Sequence, residues 1–323
     1  MSGLSKFMIR RLLMVVPMLI GISLLLFILM NMAPGGPEYV VIGDLQRYAP
    51  ELVEHIRREF GLDKPILVRY WTWLSNAARG NFGVSTTSVG GVRVMTLVLE
   101  RLPNTAVLSG TSLLVSVLVG LPLGIYSAVR RYSTADKILT FLAFTGICFP
   151  SFWLGVMLIV VFSLWLGLLP MSGMGPVALE VTWVDRLPYL VLPVLTSATM
   201  SIGRYMRFTR SAILEVMRED YIRTARSKGL TERVVLYKHA LRNAMIPLVT
   251  WIGMFLRVLV GGSVLIETVF AWPGLGRLAV TAISRRDYAT VMAVQMVIAV
   301  ATLLATIVVD FLYAVVDPRI TYN

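Results

Sequence analysis

The stretch "EDYIRTARSKGLTERVVLYKHALRNAMIP", Glu219–Pro247, places seven Lys, Arg or His side chains between two long apolar runs. In the whole chain of 323 residues, 57% of residues are apolar and only 15% are charged. Soluble domains carry roughly 25% charged residues. A chain of this composition belongs in a membrane, so the charged island marks a segment that lies outside the bilayer.

Six apolar runs are long enough to cross a membrane, since a spanning helix needs about 20 mostly apolar residues. They are Ile9–Met32, Leu102–Val129, Ile138–Leu168, Leu187–Met206, Ala244–Ile266 and Thr290–Val316. Several contain Gly or Pro, for example Gly120 and Pro122, Pro150, and Pro188 and Pro193. We therefore predict an all-α integral membrane protein with six transmembrane helices, in which such residues serve close helix packing or hinging.

The basic residues predict the orientation, because Lys and Arg next to spans stay on the cytoplasmic side. They concentrate in the N-terminus, in Arg130–Lys137 and in Arg204–Arg242, which holds ten Lys or Arg. Both termini are then cytoplasmic in a multi-pass protein of the cell membrane. The sequence thus predicts four parts of the chain. Residues 1–32 form the cytoplasmic N-terminus and first span, 33–101 a long extracytoplasmic segment, 102–316 the transmembrane core and 317–323 the cytoplasmic C-terminus.

The sequence lacks the residue patterns of common catalytic and metal sites. Its two histidines, His55 and His239, belong to no HExxH or Cys/His metal spacing. There is also no phosphate-binding G-x-x-x-x-G-K-[ST] loop. We expect no metal, no cofactor and no enzymatic activity in this chain. The net charge of +12 is better explained by orientation and a partner surface than by nucleic acid.

The charged island is patterned as two short helices with a bend. Ile222 and Ala225 share one helical face, and Gly229 suits a left-handed helix end next to Lys228. Thr231 can cap a second helix that runs toward the fifth span. A solvated basic loop that only sets orientation is the simpler interpretation, but it needs neither apolar faces nor a bend. A compact helical knob joined to two spans can transmit motion from a cytosolic partner.

The segment "EDYIRTARSKGL" also resembles the cytoplasmic coupling motif of ABC importer permeases of the dipeptide, oligopeptide and nickel family. The family's E-A-A-x-x-x-G pattern falls on Arg223, Thr224, Ala225 and Gly229, of which Ala225 and Gly229 match the broad form. Further agreement is found in "FGLDKP", "GNFGVS", "HALRNAMIP", "ETVFAWPGLGRLAVTAISRRDYATV" and "DFLYAVVDPRI". The resemblance covers nearly the whole chain.

This resemblance implies the permease subunit of an ATP-driven importer for peptides or similar small solutes. The implied partners are a second, similar permease, two ABC ATPase subunits that bind ATP and Mg, and an extracytoplasmic substrate-binding protein. The coupling segment, 211–243, would fit a groove on an ATPase subunit. The residues expected to carry that contact are Glu219, Asp220, Tyr221, Arg223, Ala225, Gly229 and Leu230.

Two further places are candidates for the transport route. Arg257 lies near the middle of the fifth span, where a charge is costly; it either pairs with Asp310 or meets anionic groups of a solute. Between the fifth and sixth spans, Pro273, Gly274 and Leu275 begin a short helix that is either an outer gate or a packed lid. Asp287 is expected only to cap the last span.

An ion-driven secondary transporter is the alternative from another functional class. Such a protein would need acidic residues within the membrane, and Asp310 is the one carboxylate that the sequence places well inside a predicted span. The two hypotheses differ in the energy source. An ABC permease requires separate ATPase subunits, whereas a secondary transporter works alone with an ion gradient.

Overall fold

Helices dominate the computed structural model of the chain, which describes residues 3–32, 63–85, 91–176, 182–245 and 264–316. Within these ranges the β-structure is limited to one isolated antiparallel bridge, between Val84 and Arg93. The helices are α1 (Gly3–Met32), α2 (Ile66–Ala78), α3 (Val94–Val129), α4 (Thr134–Cys148), α5 (Ser151–Leu158), α6 (Trp183–Val216), α7 (Asp220–Ser227), α8 (Glu232–Val234), α9 (Val264–Val269), α10 (Leu275–Ser284) and α11 (Tyr288–Val316). Two π-helical segments, Ile159–Trp165 and Val235–Ala240, continue α5 and α8.

Three of the described helices, α1, α3 and α11, are each long and apolar enough to cross a membrane. The third apolar run behaves differently from one straight span, because α4 and α5 with its π-helical continuation meet at an angle of 103°. Pro150 has no N–H for a continuing helix and disfavours helical backbone at Phe149, whose φ and ψ are −72° and 131°. Most of the fifth run, 246–263, lies outside the described residues.

The long helix α6 packs against both α3 and α4. It begins with a capping box between Thr182 and Asp185, and it runs parallel to α3. A Cβ atom on Gly124 of α3 would lie 2.6 Å from the carbonyl oxygen of Met206. Side chains cannot be accommodated at such distances, so α3 and α6 approach each other almost backbone to backbone.

The contact between α4 and α6 is equally close, although these two helices run antiparallel. A Cβ atom on Gly203 of α6 would lie 2.6 Å from the carbonyl oxygen of Ala143. Nearer the charged end of α6, Arg210 contacts Asp136 in the first turn of α4. Together α3, α4 and α6 form a three-helix unit from which α7 continues.

The N-terminal helix α1 packs against α2 and α11. Tyr70 of α2 is buried; its hydroxyl lies 2.8 Å from Ser23 Oγ, and its ring packs edge-on against Phe27. The aromatic helix that follows the first span is therefore a packed cap over α1. At the other end of α1, Arg11 Nη1 lies 3.0 Å from Asp310 Oδ2 of α11.

Asp287 caps α11, as the sequence predicted. Its Oδ1 accepts a hydrogen bond from the backbone N–H of Thr290 at 3.2 Å, and its Oδ2 accepts from the Thr290 hydroxyl at 2.8 Å. The Ser85 hydroxyl donates to the same carboxylate. The cap thereby also ties the loop before α3 to the start of the last helix.

Candidate coupling site

The short helix α7 turns its apolar face inward, as the sequence predicted. Ile222 is 0% exposed and Ala225 is 5% exposed. They belong to one apolar cluster that unites the ends of α3 and α6 with α7 and the helix after it; its other buried members are Ala128, Ala212, Ile213, Val235, Leu236, Ala240 and Ala244. The island is therefore a knob packed onto the ends of α3 and α6 and not a solvated loop.

A left-handed residue forms the bend after α7. Gly229 has φ of +76°, and no atom lies within 4 Å of the position that a Cβ would occupy. Its N–H donates to the Arg226 carbonyl at 2.9 Å. The guanidinium of Arg226 then reaches across the bend to Glu232, with Nε to Oε1 at 2.8 Å and Nη2 to Oε2 at 3.2 Å.

Thr231 lies at the N-cap of α8, as expected, but its side chain makes no capping hydrogen bond there. The predicted position of the cap is therefore correct, but the prediction that the Thr231 hydroxyl makes the capping hydrogen bond is wrong. The backbone carbonyl of Thr231 instead accepts the N–H of Val235 at 3.0 Å, and the Arg226–Glu232 ion pair supplies the side-chain link across the bend. Basic residues Arg226 and Lys228 end α7, where the helix dipole favours positive charge.

The seven expected contact residues divide into two groups. Ala225 faces the buried cluster, whereas the other six are exposed; they are Glu219, Asp220, Tyr221, Arg223, Gly229 and Leu230. Tyr221 and Leu230 are apolar side chains that remain 41% and 38% exposed. The exposed side of this segment therefore combines two partly apolar side chains with charged ones.

Sequence reasoning missed one exposed aromatic residue in this region. Tyr237, in the π-helical segment Val235–Ala240, is 60% exposed. Neighbouring Val234 is 38% exposed. An aromatic residue within a basic segment could have indicated a contact surface from the sequence. Only the helix geometry shows that Tyr237 and Val234 are exposed whereas Val235 and Leu236 are buried.

The loop expected to be an outer gate or lid is held by many hydrogen bonds. The Pro273 carbonyl accepts from Asn104 Nδ2 at 2.8 Å, and the Leu275 N–H donates to Thr105 Oγ1 at 2.8 Å. A Cβ on Gly274 would lie 2.4 Å from the carboxyl carbon of Glu267. The loop is therefore closely packed against α3.

A buried carboxylate lies beneath this loop. Glu267 is 0% exposed; its Oε1 accepts from Thr105 Oγ1 at 2.8 Å and its Oε2 accepts from the Arg277 N–H at 3.0 Å. It thereby neutralises the N-terminal end of α10. Beside the loop, a cavity of about 230 Å³ opens between Arg101 and Arg277.

Arg257 lies outside the described residues. Its suggested partner Asp310 contacts Arg11 of α1 within the described part of the chain. No group of three or more His, Cys, Asp or Glu that could hold a metal ion occurs among the described residues.

Comparison with known proteins identifies the family. Residues 120–322 match the family of binding-protein-dependent transport system inner membrane components, and residues 4–109 match the N-terminal part of such components. The chain belongs to this family. It is thus a permease component of an ABC importer and an integral inner membrane protein, and the ion-driven secondary transporter is disfavoured.

Relatives of the permease match it over nearly their whole length. The oligopeptide transport system permease protein AppB of Bacillus subtilis (strain 168) is 40% identical, over 99% of this chain and 100% of that protein. The glutathione transport system permease protein GsiC of Escherichia coli (strain K12) is 39% identical, over 98% and 99%. These two relatives are similar in sequence along both the N-terminal region and the core.

A solved structure shares the fold of the permease. An inward-facing conformation of the MetNI methionine ABC transporter matches with a TM-score of 0.54 and 21% identity, over 69% of this chain and 97% of that chain. Since the sequence identity is low, this likeness concerns the helical arrangement alone.

Proposed function

We propose that α7 is the element through which separate ATPase subunits drive this permease. The observation that carries the proposal is the division of α7 and the bend after it into a buried and an exposed side. Ile222 and Ala225 are buried against the ends of α3 and α6, whereas Tyr221 and Leu230 remain exposed beside charged residues. A force on the exposed face is therefore transmitted through packed side chains to the long helices.

The proposed assembly follows the family. The permease pairs with a second, similar permease, two ATPase subunits bind ATP and Mg, and an extracytoplasmic binding protein delivers the solute. With six spans and both termini in the cytosol, the coupling segment 211–243, which includes α7, lies on the cytosolic side with the ATPase subunits. The segment 33–101 then lies on the extracytoplasmic side. The contact surface consists of Glu219, Asp220, Tyr221, Arg223, Gly229 and Leu230. Ala225 packs α7 against the long helices.

Site-specific cross-linking tests this contact. A photoreactive amino acid at Tyr221 should cross-link to an ATPase subunit in the assembled transporter. The matched control is Trp71, an aromatic residue that is 60% exposed on the face predicted to be extracytoplasmic; it should not cross-link to the ATPase. The proposal is wrong if Tyr221 gives no ATPase adduct in a complex that hydrolyses ATP, or if the purified chain alone transports solute with an ion gradient.

We propose short peptides as the solutes. The two full-length relatives are named for oligopeptides and for glutathione, and glutathione is itself a peptide. Uptake of a labelled short peptide into proteoliposomes, with the binding protein present, should be inhibited by other short peptides and not by free amino acids. Inhibition by free amino acids alone would contradict this substrate class.

Two parts of the route extend the proposal. Arg257 would meet anionic groups of the solute, so Arg257→Gln should reduce uptake of free-acid peptides more than uptake of amidated ones. An unchanged ratio would reject this role. Pro273, Gly274 and Leu275 would form a packed lid, the second of the two predicted roles, which the hydrogen bonds from Asn104 and to Thr105 keep in place.

A further inference from the structure

A single buried carboxylate joins three helices next to the knob. Asp136, in the first turn of α4, is 3% exposed. Arg210 of α6 binds it with both prongs of its guanidinium, Nε to Oδ1 at 2.8 Å and Nη2 to Oδ2 at 2.9 Å. The Ser127 hydroxyl of α3 donates to Oδ1, and the Tyr132 N–H of the connecting loop donates to Oδ2 at 2.9 Å.

This network is adjacent to the apolar cluster that seats α7. Arg210 precedes Ala212 and Ile213 by two and three residues, and both of these belong to the cluster. On α3, Ser127 is followed directly by Ala128, another member. The polar network around Asp136 and the apolar cluster that holds α7 therefore lie next to each other at the ends of the same helices. We call the two together the junction.

The helices above the junction approach each other almost backbone to backbone. Gly124 of α3 and Gly203 of α6 bring their helices within contact of backbone carbonyls at Met206 and Ala143. Close-packed interfaces of this kind transmit displacement instead of absorbing it. If α7 is displaced, the junction therefore decides which helices move with it: α6 alone, or α3, α4 and α6 together.

We propose that Asp136 is a positioning residue for energy coupling: it locks the ends of α3, α4 and α6 into one body that moves with α7. The inference rests on the proposed role of α7. Oδ1 accepts from Ser127, from Arg210 Nε and, at 3.4 Å, from the Thr140 hydroxyl, and Oδ2 accepts from the Tyr132 N–H and Arg210 Nη2. Opening the network would leave a buried charge without these partners, which is costly. We therefore expect the network to stay closed throughout the transport cycle.

Solute uptake per ATP hydrolysed, measured with the complete transporter in proteoliposomes, tests the proposal. Asp136→Asn keeps the shape of the side chain and removes the charge. Loss of a hydrogen bond to a charged group shifts the equilibrium between the closed and open junction by about tenfold or more, and the ratio should fall with the closed fraction while ATP hydrolysis continues. The matched control is Asp185→Asn, the same exchange in the exposed cap at the other end of α6, which should leave the ratio within about twofold of the wild type.

A merely structural role gives a different result. If Asp136 only stabilised the fold, Asp136→Asn would reduce the amount of assembled complex, and uptake and hydrolysis would fall together with an unchanged ratio. That outcome overturns the proposal. Should Asp136→Asn fail to assemble, Arg210→Lys, which keeps the charge without the two-pronged geometry, is judged by the same ratio.

Cross-linking tests whether the junction stays closed. In a Cys148→Ser background, the double variant Asp136→Cys/Arg210→Cys should be uncoupled, and a short bifunctional maleimide that bridges the two thiols should restore the ratio. Arrest of transport by the bridge would show that α4 and α6 separate in each cycle and would overturn the inference. If Tyr221 still cross-links to the ATPase in that case, only the role of Asp136 is lost and the proposed function of α7 stands.

Discussion

Replacement of Gly229 is the sharpest test of α7 as a rigid coupling element. Gly229 has φ of +76°, and no atom lies within 4 Å of its hypothetical Cβ. A side chain at this position therefore meets no steric obstacle. Within this chain, a side chain at position 229 therefore acts through the backbone conformation. Gly229→Val should uncouple ATP hydrolysis from uptake while membrane insertion stays intact.

The magnitude follows from the cost of the left-handed conformation. An ordinary L-residue loses about 1–2 kcal/mol there, which reduces the population of the native bend by a factor of about 5–30. Asn tolerates this conformation better than other residues, whereas β-branched residues are outliers in it. The loss of coupling should thus increase in the order Asn, Ala, Val.

Gly80 provides a matched control for this series. It also follows a helix, has φ of +78° and has no atom near its hypothetical Cβ. Its N–H donates to a carbonyl three residues earlier at 2.9 Å, as that of Gly229 does. Gly80→Val introduces the same backbone strain on the other predicted side of the membrane, so it should leave uptake per ATP unchanged.

The assay is the ratio of solute taken up to ATP hydrolysed in proteoliposomes that contain the complete transporter. Normal uptake by Gly229→Val would refute the reasoning. So would an equal loss of coupling in Gly80→Val, because the effect would then be general strain and not a change in the knob. An Asn variant as impaired as the Val variant would show that backbone conformation is not the cause.

Three further predictions concern other close contacts. Glu267→Gln should weaken the loop above it, because Thr105 and the backbone N–H of Arg277 donate to two different oxygens and an amide replaces one of them with an NH2 donor; faster hydrogen exchange of amides 275–277 would confirm this, and unchanged exchange would contradict it. Gly203→Ala places a methyl group against a backbone carbonyl of α4 and should cost about 1–3 kcal/mol, seen as a lower thermal midpoint of the purified protein; an unchanged midpoint would mean that α4 and α6 can separate easily. Asp287→Ala removes the cap of α11 and should cost about 0.5–2 kcal/mol, whereas Asp287→Asn, which keeps an acceptor, should cost less in the same measurement.

The buried face of α7 and the bend after it could be predicted because their signals are local. Ile222 and Ala225 lie three residues apart, so they share a helical face, and glycine at 229 is the residue that best tolerates a left-handed helix end. The structure agrees at each of these positions. The failure at Thr231 is also local: several donors and acceptors compete at a short bend, and the Arg226–Glu232 ion pair links its two sides instead.

The break in the third apolar run was only partly predictable. Pro150 marks a place where a helix is interrupted, but a proline does not determine the angle between the two halves. The observed angle of 103° depends on what α5 packs against, and Gly155 of α5 lies against Phe270, which follows α9. That contact joins residues more than a hundred positions apart in the chain.

The amino-acid sequence alone determined the membrane environment, the predominance of helices, the family resemblance and the position of the charged knob, because apolar runs, helical periodicity and glycine conformations depend on residues close in the chain. Only the tertiary structure revealed the junction of Asp136 with Ser127 and Arg210. These residues come from three different helices, and each is unremarkable among its sequence neighbours. Their buried carboxylate network exists because packing at Gly124 and Gly203 brings those helices together.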